Sequence, residues 1–222
     1  MSTATVNHKA PAISALLEPS NDGHSTILAA EPYFVRLTLR GPTMTVWHKW
    51  SVESIEAKGK AAKGSDVRKT DDVESYVWRN EDNQLCLPGE YVRQCMIVRA
   101  KQIPDPSYPR RSAKELYKSS IAALTELAPI LIDGKPVVEW EGIDQRRVVV
   151  QRAGVTRSRP FMNKGWQAEM DFLVLQPEYI SFDTFHENLS KAGTFVGLAE
   201  MRPSYGRFSV VNIKQVAWNG ED

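Results

Sequence analysis

The sequence predicts an α+β fold whose elements run β-α-β-β-α-β, with insertions and a projecting basic hairpin. Three observations carry that expectation. Residues 34–39, F-V-R-L-T-L, alternate apolar and polar as a half-buried strand does. After Pro88-Gly89, residues Val92, Cys95, Met96 and Arg99 share a face at helical spacing. Further on, Trp166, Ala168, Met170 and Phe172 recur at the two-residue period of a strand.

Residues 1–30 are rich in Ala, Ser, Thr, Asn and Pro, and read as a flexible arm ahead of a single domain at 31–222. Gly41-Pro42 breaks the first strand, and residues 44–50 continue as a second. The charged, glycine-containing stretch at 56–72 reads as a flexible surface loop. Its Lys58, Lys60, Lys63, Arg68 and Lys69 are either solvated or in contact with nucleic acid. Short strands follow at 76–79 and 85–87, so a first insertion occupies about 41–87. A helix then runs from the Pro88-Gly89 turn to about residue 101.

The stretch PDPSYPRR is a rigid, non-helical link. Ser112-x-x-Glu115 has the capping-box pattern. It opens a helix with Ala113, Leu116, Ile121, Leu124 and Leu127 on one face, ended by Pro129. A second insertion thus spans about 103–145. Residues 147–150 form a β-branched strand, and 166–175 another. The connection QRAGVTRSRPFMNKG between them has no hydrophobic alternation and reads as a projecting loop. Asp183 caps a short helix bearing Phe185, Leu189 and Ala192, with Gly193 just past its end. Residues 194–196 and 208–216 are the last strands. Without its insertions this order is the ferredoxin-like, RRM-like split βαβ motif. Its antiparallel sheet carries helices on one face and leaves the other open to a ligand.

Composition narrows the function. The net charge is +1, so any attraction for a polyanion must come from a local cluster. No run of about 18 apolar residues, the length that spans a membrane, is present. The N-terminus has no basic and apolar signal regions, and a cytoplasmic location is expected. Cys86 and Cys95 read as small core hydrophobes in a reducing compartment and make no zinc site by themselves. The histidines His8, His24, His48 and His186 have no i,i+4 histidine partner, and no phosphate loop or nucleophile elbow occurs. No catalytic constellation, metal or cofactor is therefore indicated, and His48 is a general base only in principle.

Positive charge is the stronger signal. Arg146, Arg147, Arg152, Arg157, Arg159 and Lys164 fall in one span without Asp or Glu. On a strand Arg146 and Arg152 face the same side and Arg147 the other. Guanidinium groups on a projecting arm suit phosphate oxygens. The alternative is a solvated hairpin whose charges pair with acids elsewhere. The later loop GLAEMRPSYGR adds Arg202 and Arg207, a stacking face at Tyr205, and Gly197 and Gly206, which let backbone approach a ligand.

Two segments resemble the RAMP superfamily, which includes the backbone subunits of CRISPR effector complexes. Residues 85–93, LCLPGEYVR, resemble that family's strand, Pro-Gly turn and first helix, and residues 197–207 resemble its C-terminal glycine-rich loop. The connection at 153–165 sits where the backbone subunits project a thumb-like hairpin, and 41–87 where they insert a second subdomain. The resemblance implies a subunit that binds single-stranded RNA and assembles side by side along it. The matching positions are Arg93, the 197–207 loop and the basic hairpin. The loop departs from the family pattern at Glu200 and Pro203. A stand-alone or phage-encoded relative, acting in replication, recombination or counter-defence, fits as well as a CRISPR subunit of antiviral defence. The competing expectation is a phage-related structural or interaction protein that joins or inhibits a larger complex without binding nucleic acid. A hydrolase using His48 is a third.

Overall fold

The computed structural model describes residues 31–49, 52–62, 65, 72–150 and 153–216. The arm at 1–30, Trp50, Lys63, Arg68, Lys69 and Arg152 lie outside the described residues. The chain is a mixed α+β structure built on antiparallel sheets. Strand β1 (Tyr33–Arg40) is its axis. Alternation buries Tyr33, Val35, Leu37 and Leu39 and leaves Arg36 and Arg40 exposed. After it come β2 (Thr45–Val46), α1 (Val52–Lys60), a 3₁₀ turn at Glu74–Tyr76, β3 (Trp78–Arg79) and β4 (Leu85–Pro88). Helix α2 (Gly89–Ala100) follows directly. Next are α3 (Lys114–Ser120), β5 (Ile121–Ala123), β6 (Leu127–Pro129), β7 (Leu131–Ile132) and β8 (Lys135–Pro136). The last part holds β9 (Gly142–Val150), β10 (Ala153–Met162), β11 (Gln167–Val174), α4 (Phe182–Phe195) and β12 (Ser209–Val216).

The main sheet runs β12-β1-β11-β7-β8, with β5 also pairing β11. Each of these neighbours is antiparallel, with Leu37 opposite Met170 on one side and Ile213 on the other. Helices α2 and α4 pack together over the buried face. Val92, Cys95 and Met96 of α2 and Phe185, Leu189 and Ala192 of α4 join Val35, Leu37, Ala168, Met170 and Phe172 in one apolar core. Two of its polar groups are tied down: the Tyr33 hydroxyl donates to Ile180 O at 2.9 Å, and Asn188 Nδ2 to Met96 O at 3.3 Å. Both cysteines are free and buried, and burial pushes the Cys95 thiol up to about 12. On the opposite face Arg36 makes a bidentate ion pair with Asp171, at 2.9 and 2.8 Å. Arg36 and Asp171 thus engage each other on a face that stays partly exposed.

Several local expectations are corrected. The connection after residue 152 is no loop: β10 pairs with β9 from Ala153↔Val150 to Phe161↔Gly142. The helix expected from Ser112 to Leu127 stops at Ser120, because β5 leaves it to pair with β11. Ser112 does not cap it; the N-cap is Ala113, without a side-chain hydrogen bond, and Glu115 instead pairs with Lys114. Ser181, not Asp183, caps α4 through the Thr184 amide. Helix α4 runs through Gly193 to Phe195, so 194–196 form no strand. A Cβ on Gly193 would lie 2.3 Å from Phe208 O, so this glycine serves close packing within the helix rather than its end. Part of the presumed loop at 56–72 is the end of α1. The second strand is only Thr45–Val46, and 74–76 form the 3₁₀ turn before a two-residue strand.

Candidate nucleic-acid interface

The β9–β10 hairpin has two unlike faces. Asp144 and Arg146 on β9 stand opposite Arg159 and Arg157 on β10 and are partly or fully covered; Ile143, Gln145, Arg147 and Val149 point out to solvent. The inner face meets the 197–207 loop. Arg146 Nη2 donates to the Tyr205 hydroxyl at 2.6 Å, and the guanidinium lies 4.8 Å from the Tyr205 ring centroid. Arg146 Nε also donates to Asp144 Oδ1 at 2.8 Å, and these bonds, Tyr205 first, raise the arginine's pKa further. Its side chain is still 40% exposed. The β9–β10 hairpin and the late loop thus share one surface.

The loop is shaped by its own backbone. Gly197 and Gly206 have φ of +79° and +71°. The Leu198 amide donates to Gly206 O at 2.7 Å, Gly206 N to Met44 O at 2.8 Å, and Glu200 N to Val46 O at 3.1 Å. A Cβ on Gly206 would fall 1.9 Å from Leu198 O. The glycines therefore close the loop on itself and on the chain after β1, where the sequence suggested that they let backbone approach a ligand. Arg207 is exposed, with its amide held by Thr43 Oγ1 at 3.0 Å and its Nε by Pro203 O at 2.8 Å. Arg202, on the same loop, is exposed as well.

The remaining expected contacts separate. Arg93 is internal: it donates to Ile121 O at 2.6 Å and Glu90 Oε1 at 2.8 Å, and also to Lys118 O. It pins α2 to the α3–β5 junction and is corrected from ligand contact to structural strut. Arg159 is also internal, 8% exposed and 3.9 Å from Glu200 Oε2. Arg157 is half-buried opposite Arg146. Lys164 lines a different, shallow cleft of about 470 Å³ with Arg40, Gly41, Pro42, Gly165 and Ser209.

A second cleft, about 270 Å³, was not foreseen as a unit. His48, Tyr91, Gln94, Ala199, Glu200 and Arg202 line it. His48 Nδ1 is 3.5 Å from Glu200 Oε1, and its ring stands edge-on to Tyr76 at 4.6 Å. His48, then Arg159 and Arg202, hold the Glu200 carboxyl below its ordinary range although burial acts the other way. The one sequence signal was Glu200 itself, an acid inside a basic loop. Among the described residues no group of three or more His, Cys, Asp and Glu side chains is placed to hold a metal ion.

No family model and no curated protein matches this chain. Solved structures do. One chain in the cryo-electron-microscopy structure of the Type III-B Cmr-beta bound to cognate target RNA aligns with a TM-score of 0.50 at 7% identity. The two share a fold. The match covers 84% of this chain and 61% of that one, so this chain spans about three fifths of the length of the chain it matches.

Proposed function

We propose that this protein binds single-stranded nucleic acid, RNA in preference, as a non-catalytic module that assembles side by side along the strand. The carrying observation is the Arg146–Tyr205 contact, which brings the hairpin and the glycine-bounded loop to one surface. Around it Arg157, Arg202 and Arg207 supply guanidinium groups for phosphates, and Tyr205 supplies an aromatic ring. Two further observations support the reading. The strand order β12-β1-β11-β5, with all neighbours antiparallel and helices on one face, matches a ferredoxin-like sheet. The matched fold belongs to an assembly described as bound to target RNA. Together with the motifs at 85–93 and 197–207 this favours a RAMP-type module.

The test is a mobility-shift titration with single-stranded RNA, single-stranded DNA and duplex at two salt concentrations. The reading expects single strands, RNA first, to bind with affinity that falls steeply with salt. Binding to none of them would refute it. One observation favours a second reading, an interaction protein that joins or inhibits a larger complex without nucleic acid. Arg93, Arg146 and Arg159 are paired with Glu90, Asp144 and Glu200, so part of the basic signal is spent internally. Purification free of nucleic acid, together with failure to shift any probe, would favour it.

A further inference from the structure

The shallow cleft that Lys164 lines is built on a junction of two turns. Gly41 N donates to Trp166 O at 2.9 Å, and Gly165 N donates to Gly41 O at 2.7 Å. Glycine is required at 41, because a Cβ there would lie 2.0 Å from Nε1 of the fully buried Trp166. The junction carries Arg40, at the end of β1, and Lys164, in the turn before β11, to one cleft from distant parts of the chain. Both are exposed. Resting on the nucleic-acid reading above, we propose that this cleft is a further phosphodiester subsite, where Arg40 and Lys164 together hold a backbone phosphate of the strand that Arg207 grips.

The first argument is charge. Two cations held in one cleft repel unless an anion lies between them. Elsewhere the chain supplies that anion itself: Arg36, Arg93 and Arg146 pair with Asp171, Glu90 and Asp144. No carboxylate lines this cleft. Strand register gives the reason. Arg36 stands opposite Asp171, whereas Arg40 stands between Gln167 of β11 and Ser209 of β12, both neutral. Nearby acids are engaged by other groups: Glu169 accepts from Thr38 Oγ1 at 3.4 Å, and Glu141 accepts from Asn163 Nδ2. Among the described residues neither Arg40 nor Lys164 has an ion-pair partner.

The second argument is continuity with the grip. The Arg207 amide is held by Thr43 Oγ1 at 3.0 Å, and Thr43 directly follows Pro42 of the cleft. Ser209, two residues past Arg207, lines the cleft as well. Loop and cleft therefore adjoin, as successive phosphates of one strand require.

The donor set suits a phosphodiester. A guanidinium matches two phosphate oxygens, and an ammonium is a mobile point charge beside it. Ser209 Oγ adds a hydroxyl whose contact with Arg40 O is a long 3.4 Å. At Gly165 nothing lies within 4 Å of a Cβ position, so the approach to the turn is open.

The test is the salt dependence of labelled oligouridylate binding to the full chain, read by fluorescence anisotropy. Arg40→Gln combined with Lys164→Gln should make the plot of log affinity against log salt shallower by about 0.7, the share of one phosphate contact. Lys101→Gln combined with Lys118→Gln removes the same charge from exposed positions at the ends of α2 and α3, and should leave the slope unchanged. Arg40→Lys alone should keep the slope too, because an ammonium still neutralises a phosphate. A cleft variant that matches the control, with the parent protein binding, would overturn the subsite and leave the grip at Arg202 and Arg207 standing. No binding by the parent protein would overturn both.

Discussion

Gly206→Ala tests how the loop is built. Gly206 has φ +71°, and the added Cβ would sit 1.9 Å from Leu198 O and 2.9 Å from its carbonyl carbon. The left-handed conformation costs an L-residue about 1–2 kcal/mol. The clash is with backbone, so the loop must shift. Either the Leu198 N to Gly206 O bond at 2.7 Å or the Gly206 N to Met44 O bond at 2.8 Å is then lost. One such bond is worth about 1 kcal/mol net. The sum is about 2–3 kcal/mol, which at about 2–4 °C per kcal/mol for a chain of this size lowers Tm by about 4–12 °C. Gly134→Ala is the control: φ is +75°, but nothing lies within 4 Å of its Cβ. It should lose only the conformational part, about 1–2 kcal/mol. Thermal unfolding followed by far-ultraviolet circular dichroism compares the two. Equal melting of the variants would refute the claim that Gly206 is required for close approach.

Three further outcomes are expected. In a double-mutant cycle on stability, Arg146→Ala and Tyr205→Phe should couple by about 1 kcal/mol, a charged hydrogen bond discounted for solvent exposure; additivity would mean that hairpin and loop do not touch. Arg93→Ala should destabilise the fold by about 1–3 kcal/mol in urea, because it removes charged hydrogen bonds to the Ile121 and Lys118 carbonyls, yet leave RNA affinity of the folded protein unchanged. A loss of affinity without loss of stability would restore Arg93 to the interface. Glu200 has a folded pKa below its unfolded value of about 4.3. Its contribution is therefore complete above that value and fades as pH falls through the folded pKa. Urea titrations of the parent protein and Glu200→Gln should differ most near neutrality and converge in acid; a gap that widens in acid would contradict the sign.

Strands β1 and β11 were legible because each sets one apolar face against α2 and α4, so period-two alternation survives in sequence. Strand β10 was not. Its covered face holds Arg157 and Arg159, packed near charges of the late loop rather than in the apolar core, so no hydrophobic alternation marks it. The long helix expected after Ser112 arose because Ala113, Leu116 and Ile121 match a helical stripe, while Ile121 is in fact buried by pairing with β11. In the interface, Arg146 and Tyr205 were both visible as residue types. The acids that restrain the arginines were not: Asp144 lies just before the acid-free span, and Glu200 reaches Arg159 only through tertiary packing. The spacing of Glu90 and Arg93 was a readable warning, since such i,i+3 pairs often meet on a helix.

The central claim is that hairpin and loop grip one phosphate backbone, and the salt dependence of RNA binding tests it most directly. The logarithm of affinity for a single-stranded oligonucleotide, plotted against the logarithm of salt concentration, falls with a slope of about −0.7 per phosphate contact. Arg202→Ala and Arg207→Ala should each make that slope shallower by about 0.7 and weaken binding to all sequences alike. An unchanged slope in both variants, with the parent protein binding, would place the strand elsewhere on the molecule and contradict the account.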